Sequence, residues 1–180
     1  YLDVYEQSLG TQSIERSLKV ARYKSGKYTI ERPLHFGAAL AGASTELMQA
    51  YSNYGLPLGE AFQLRDDLLG VFGDPSETGK PAGDDLREGK RTALLAVAQE
   101  RANALQSTQL KKQIGDPNLT PSMISDLQQI ITDTGATSHI EMMIEELTST
   151  SLTALKHDGI SPDGKKLLTE LAILATNRKI

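Results

Sequence analysis

The stretch Leu58-Gly59-Glu60-Ala61-Phe62-Gln63-Leu64-Arg65-Asp66-Asp67-Leu68-Leu69-Gly70-Val71-Phe72 decides how this sequence reads. At about 100° per residue, Gly59, Gln63, Asp66, Asp67 and Gly70 share one arc of roughly 100° on a helix. Leu64, Leu68 and Val71 lie to one side of that arc, Leu58, Phe62 and Leu69 to the other, and Ala61 and Phe72 cover the back. Apart from Arg65 and Glu60, everything outside the polar stripe is apolar, and a helix apolar nearly all round is a buried one. The stripe then faces an interior cavity, with a glycine at each end leaving room for a ligand. Two adjacent buried carboxylates repel each other and lose hydration, so Asp66 and Asp67 need cations. Such a site suits Mg²⁺, which keeps several waters and draws its other ligands from carboxylates and substrate phosphates. The competing reading, a solvated acidic patch at a helix end, conflicts with the apolar residues on both sides.

Outward from this helix, Gly73 to Lys90 holds four glycines (Gly73, Gly79, Gly83, Gly89) and a dense mixture of charges. The composition predicts a functional loop rather than a helix. A nucleotide phosphate loop is excluded: Pro81 stands where a metal-binding hydroxyl belongs, and the spacing from Gly73 is one residue too long. Upstream, Ile14, Leu18, Ala21, Ser25 and Tyr28 repeat at helical steps and define an inward face, with Lys24 at its edge. Downstream, Ile124, Leu127 and Ile131 repeat the pattern, then Ile140, Met143, Ile144 and Leu147, then Leu167, Leu171 and Leu174. Thr120-Pro121 and Ser161-Pro162 read as N-caps followed by proline in the first turn, and Gly115, Gly135 and Gly159 as stops. Strand patterns are nearly absent, so the fold class is all-α. Lys24, Lys80 and Lys90 beside the carboxylate pair make a cradle for a diphosphate whose remaining charge is held by metal.

Composition narrows the classes further. The 180 residues carry a net charge of −4, which argues against a protein that coats nucleic acid through bulk positive charge. There is no cysteine, so disulfide frameworks and thiol catalysis are excluded. No apolar run reaches bilayer length, and a cytoplasmic protein without a membrane span is expected. The opening Tyr1-Leu2-Asp3-Val4, already apolar-rich, reads like a domain entered in its middle.

Phe62 to Gly70, followed by Gly73-Asp74-Pro75, Thr78-Gly79-Lys80-Pro81, Asp85-Leu86 and Gly89-Lys90, resembles the second aspartate-rich region of trans-isoprenyl diphosphate synthases. Arg22 to Tyr28 resembles the Lys-Thr segment of that family, with Ser25 in place of threonine. The wording is most similar to actinobacterial geranylgeranyl or polyprenyl diphosphate synthases. The resemblance implies a helical bundle of the isoprenoid synthase type, of which residues 1–180 form about the C-terminal half. It implies Mg²⁺-dependent, head-to-tail condensation of an allylic diphosphate with isopentenyl diphosphate, to geranylgeranyl diphosphate or a similar product. By position, Asp66 is implied as a direct Mg²⁺ ligand and Asp67 as its support. Lys24, Lys80 and Lys90 would hold the allylic diphosphate. Gln63 and Ser25 would lie by the allylic carbons, Gln63 with a share in substrate binding. Phe62 would help form the homoallylic pocket, and Arg178 resembles a basic tail near the isopentenyl site.

Two departures bear on this. The fifth position of the motif is Gly70, where many members have a third aspartate. The first aspartate-rich motif is absent, since the only adjacent aspartates are Asp66-Asp67 and Asp84-Asp85. The chain alone is therefore expected to be inactive without complementary N-terminal helices, in the same or a separate chain, and the whole enzyme is expected to be a homodimer. The alternative is a non-catalytic partner subunit of a heteromeric synthase. Against it stands the joint presence of Lys24, Gln63, Asp66, Asp67, Lys80 and Lys90, which a structural partner has no need to keep.

Overall fold

The computed structural model describes residues 13–79 and 81–178, with Glu77 and Thr78 described through their backbone. Among them every regular element is helical: α1 (Ile14–Ala21), a π-helical segment (Arg22–Glu31), α2 (Arg32–Leu40), α3 (Thr45–Phe72), α4 (Pro75–Thr78), α5 (Asp84–Glu88), α6 (Ala93–Arg101), α7 (Ala104–Gln113), α8 (Pro121–Asp133), α9 (Ala136–Ala154) and α10 (Pro162–Thr176). The fold is all-α, as its periodicities predict. The caps are where the sequence puts them: Thr120 accepts from the Met123 N–H and Ser161 from the Gly164 N–H. No described helix is long and apolar enough to cross a membrane.

The described residues divide into two compact units, one of residues 13–18, 66–79 and 81–141, the other of residues 19–65 and 142–178. In the first unit the core is built from Leu68, Val71, Leu86, Leu94, Leu95, Val97, Leu110, Leu127, Ile131 and Ile140. Helix α6 is buried from Ala93 to Ala98, α6 and α7 both contact α8, and α8 buries Ile124, Leu127 and Ile131. Gln128 of α8 donates from Nε2 to the Val71 carbonyl at 2.6 Å, meeting one of the carbonyls that the end of α3 leaves without a helical partner.

The segment from Gly73 to Lys90 is not the helix-free loop its composition predicts. It folds into α4 and α5, because Asp74 caps α4 through the Ser76 N–H and left-handed glycines at 79 and 89 close each short helix. Residues with a Cβ rarely tolerate that backbone, so glycine richness here marks short helices rather than their absence.

In the second unit Tyr54 and Leu58 of α3 pack with Leu155, Ile160 and Ala172. Tyr54 donates its hydroxyl to the Leu168 carbonyl at 2.7 Å, Ser151 donates to the Tyr54 carbonyl at 2.8 Å, and Arg65 donates from Nε to the Thr176 carbonyl at 2.7 Å. Helices α9 and α10 are thus bonded to α3 as well as packed on it.

Two sequence expectations fail in this unit. Leu167, Leu171 and Leu174, which the periodicity assigns to the core, are exposed; α10 instead buries Ala172 and packs Leu168 and Ala175 inward. Tyr28 is 80% exposed although Ala21 and Ser25 of the same predicted face are buried. The cause is the π geometry, whose i→i+5 bonding carries residue 28 out of phase with an α-helical face. The Arg32 N–H bonds the Lys27 carbonyl, five residues back.

Burial pushes the Tyr54 phenol up to about 12. Between its ordinary value of about 10 and that value the native state keeps a proton the unfolded chain has lost, so stability falls as pH rises through this window. Tyr54→Phe is expected to cost about 1 kcal/mol by denaturant unfolding at neutral pH and to remove the latest step of the phenolate absorbance titration.

Candidate active site

Helix α3 carries Gln63, Asp66 and Asp67 one turn apart, so all three stand on one side of it. Gln63 is half-buried and Asp67 is 7% exposed, but Asp66 is exposed, so the two aspartates are not the buried carboxylate pair that the apolar surround predicts. The two charged exceptions in the apolar surround are each met: Glu60, itself buried, pairs with Arg22, and Arg65 holds the C-terminal carbonyl of α10.

The π segment brings up the second set of residues. Ser25 is buried and donates its hydroxyl to Gln63 Oε1 at 3.0 Å across 38 residues of sequence. Lys24, next to it, is exposed. Thr29 donates to the Lys24 carbonyl at 3.1 Å, closing the wide turn from within. Arg178, near the chain end, lies over the Phe62 ring at 4.7 Å, a cation–π contact on the same helix as Gln63.

The glycines of the stripe do not leave room for a ligand, as the sequence suggests they should. A Cβ on Gly59 would stand 2.2 Å from the Gly26 Cα, and one on Gly70 would stand 2.1 Å from Asp85 Oδ2. Gly59 admits a neighbouring backbone and Gly70 admits a carboxylate. At the position where many members of the resembled family have a third aspartate, this chain seats Asp85 from helix α5.

Asp85 is buried and bonded by Lys90 Nζ at 2.5 Å, and Lys90 also meets Glu88 at 3.2 Å. Burial alone would push the Lys90 ammonium down, but the bond and charge of Asp85, joined by Glu88, hold it above the usual lysine range. Lys90 therefore anchors Asp85 in the described structure. Burial works to raise the Asp85 carboxyl, and the nearby Asp66 charge works in the same direction. Asp85 stands in the sequence among the residues that carry the resemblance but is given no role there; its contact with α3 is signalled only by the missing side chain at Gly70. Lys80, the remaining predicted diphosphate ligand, lies outside the described residues.

No group of three or more His, Cys, Asp or Glu able to enclose a metal occurs among the described residues. Asp66 and Asp67 form a sparse donor set, which fits an ion that completes its shell with water and phosphate oxygens rather than one caged by protein.

The polyprenyl synthetase family matches residues 1–133 of this chain. The chain belongs to that family. A geranylfarnesyl diphosphate synthase of Aeropyrum pernix is 40% identical over 124 residues, 69% of this chain and 37% of that protein. A (2E,6E)-farnesyl diphosphate synthase of Mycobacterium tuberculosis is 42% identical over 80 residues, 44% of this chain and 22% of that protein. The fold superposes with a TM-score of 0.94 on the crystal structure of a geranylgeranyl pyrophosphate synthase from Corynebacterium glutamicum complexed with isoprenyl diphosphate and magnesium. That chain is 45% identical, and the match covers 99% of this chain and 50% of that one. The chain thus spans half the length of that solved relative and less of the curated ones. As a polyprenyl synthetase sequence, it carries the Phe62–Lys90 and Arg22–Tyr28 motifs within the matched residues.

The Gly70–Asp85 contact makes a direct prediction. Gly70→Asp is expected to destabilise the protein by about 2–3 kcal/mol, through overpacking and like charge against Asp85. Adding Asp85→Ala is expected to recover most of that loss in denaturant unfolding, and an unchanged midpoint for Gly70→Asp would rule the contact out.

Proposed function

We propose that this chain is about the C-terminal half of a prenyltransferase that joins an allylic diphosphate to isopentenyl diphosphate, with a geranylgeranyl-type product. The Ser25–Gln63 hydrogen bond carries the reading. It ties Ser25, beside Lys24, to Gln63 of α3 across 38 residues of sequence, so the two segments that carry the resemblance meet side chain to side chain. Sequence identity of 45% to the Corynebacterium glutamicum protein over nearly the whole chain supports the same reading.

In this reading Mg²⁺, when bound, neutralises charge on the departing diphosphate, and Asp66 would hold it with Asp67 in support. The chain's own residues do the remaining work. Lys24, Lys80 and Lys90 bind and orient the allylic diphosphate, Lys90 with an ammonium that Asp85 also holds. Gln63 and Ser25 present oxygen dipoles to the allylic carbons as positive charge develops there. Their mutual bond fixes the direction of both dipoles in advance, so no reorganisation is needed when the charge appears. Phe62 supplies apolar surface to the homoallylic substrate, with Arg178 held over its ring.

The chain alone is proposed to be inactive, because the first aspartate-rich motif is missing from it. Catalysis then requires the complementary N-terminal helices, and the assembled enzyme is proposed to work as a homodimer in the cytoplasm. The test is to supply this chain with the half of the Corynebacterium glutamicum protein that it does not match, and to assay prenyl transfer with Mg²⁺. Turnover is expected, and Asp66→Ala is expected to reduce it by about 10³-fold or more. Near-normal turnover by Asp66→Ala would remove the metal assignment. A chain that binds a partner synthase but never restores turnover would favour the partner-subunit alternative.

A further inference from the structure

The π segment and α3 meet backbone to backbone. A Cβ on Gly59 would lie 2.2 Å from the Gly26 Cα, 2.3 Å from its N and 2.6 Å from the Ser25 carbonyl carbon. Ordinary contact for a Cβ begins near 3.4 Å, so even a methyl group at 59 is more than an ångström too large. One turn earlier on α3, a Cβ on Gly55 would meet the Glu31 backbone at 3.1 Å. The contact points are therefore four residues apart on α3 and five apart on the facing segment, Gly55 against Glu31 and Gly59 against Gly26. In an α-helix residues 26 and 31 would point about 140° apart. Only i→i+5 geometry puts them on one face, so the π turn and the glycine contacts require each other.

What this junction holds in place is Ser25. Its carbonyl carbon is part of the contact with Gly59, and its hydroxyl reaches Gln63, one turn beyond Gly59 on the same helix. We propose that Gly59 and Gly26 are positioning residues: their backbone contact sets the separation at which Ser25 bonds Gln63, and thereby the geometry of both dipoles. The inference rests on the functional reading above, in which those dipoles face the allylic carbons. Neither glycine touches substrate; both act through Ser25.

A double-mutant cycle on the assembled two-half enzyme tests this. Gly59→Ala is expected to lower kcat by about 10²-fold, the scale of a 1 Å misplacement, with the KM for isopentenyl diphosphate within about twofold. Ser25→Ala alone should lower kcat substantially, but added to Gly59→Ala it should cost less than about a further twofold, since the bond is already broken. The same non-additivity is expected in unfolding free energies, a readout that stands even if the wild-type assembly shows no turnover. Absence of wild-type turnover would thus overturn the functional reading, whereas additive losses in stability would overturn the positioning inference.

Two further variants guard the result. Gly26→Ala places its Cβ only 3.2 Å from the Leu56 carbonyl oxygen, a milder separation of the same two elements, and is expected to give the same pattern at smaller amplitude should Gly59→Ala not fold. Gly55→Ala crowds the Glu31 end of the same interface and is expected to lower the melting temperature while leaving kcat within about threefold. A loss of kcat in Gly55→Ala as large as in Gly59→Ala would reduce the effect to general packing and overturn the proposal.

Discussion

A buried helix that carries polar groups inward stays folded only if each of them is met, because an unpaired buried amide or charge costs more than a paired one returns. Helix α3 is organised around this constraint. Tyr54, Glu60 and Arg65 are the polar side chains it buries within the second unit, and each is tied to another element: Tyr54 to α10, Glu60 to Arg22 of the π segment, Arg65 to the last turn of α10. At its other end, in the first unit, Gln128 meets the Val71 carbonyl. The side chains that keep α3 in place are therefore the ones that contradict its apolar pattern. Gln63, Asp66 and Asp67, on the second half of the same helix, lie on a common side.

Much of this was legible in residue order. Helix class, the Thr120 and Ser161 caps and the inward face of α8 are local properties, written within a few residues of where they act. That Gln63, Asp66 and Asp67 share one side of α3 follows from their local spacing too, whereas the exposure of Asp66 does not. What failed depended on contacts between distant residues. Tyr28 fell out of phase because Gly26 meets Gly59, a tertiary contact that imposes π geometry no periodicity announces. The leucines of α10 were misassigned because both of its faces are apolar, and Leu167, Leu171 and Leu174 make as regular a stripe as Leu168, Ala172 and Ala175.

The glycines are the most instructive case. In the sequence, Gly59 and Gly70 bracket the polar stripe and suggest an emptied space. Both spaces are filled, one by a backbone and one by a carboxylate. The absence of a side chain says that something approaches closely, but it does not name the visitor. The seat that Gly70 makes for Asp85 is of this kind: Asp85 sits in a glycine-punctuated stretch whose short helices are set by left-handed turns, and nothing local ties it to α3.

The π segment has one more consequence, which concerns length rather than side chains. It counts residues in fives where its partner helix counts in fours, so between Gly26 and Glu31 it holds one residue more than an α-helix needs to reach the same two contact points. Removing that residue would leave the two positions four apart, a spacing that the cheaper α geometry also places on one face, and Ser25 would keep its place against α3. The surplus residue shows instead in side-chain phase, where it turns Tyr28 outward. Length is therefore the tolerant variable in this segment, and the bare backbones of Gly26 and Gly59 are the strict one.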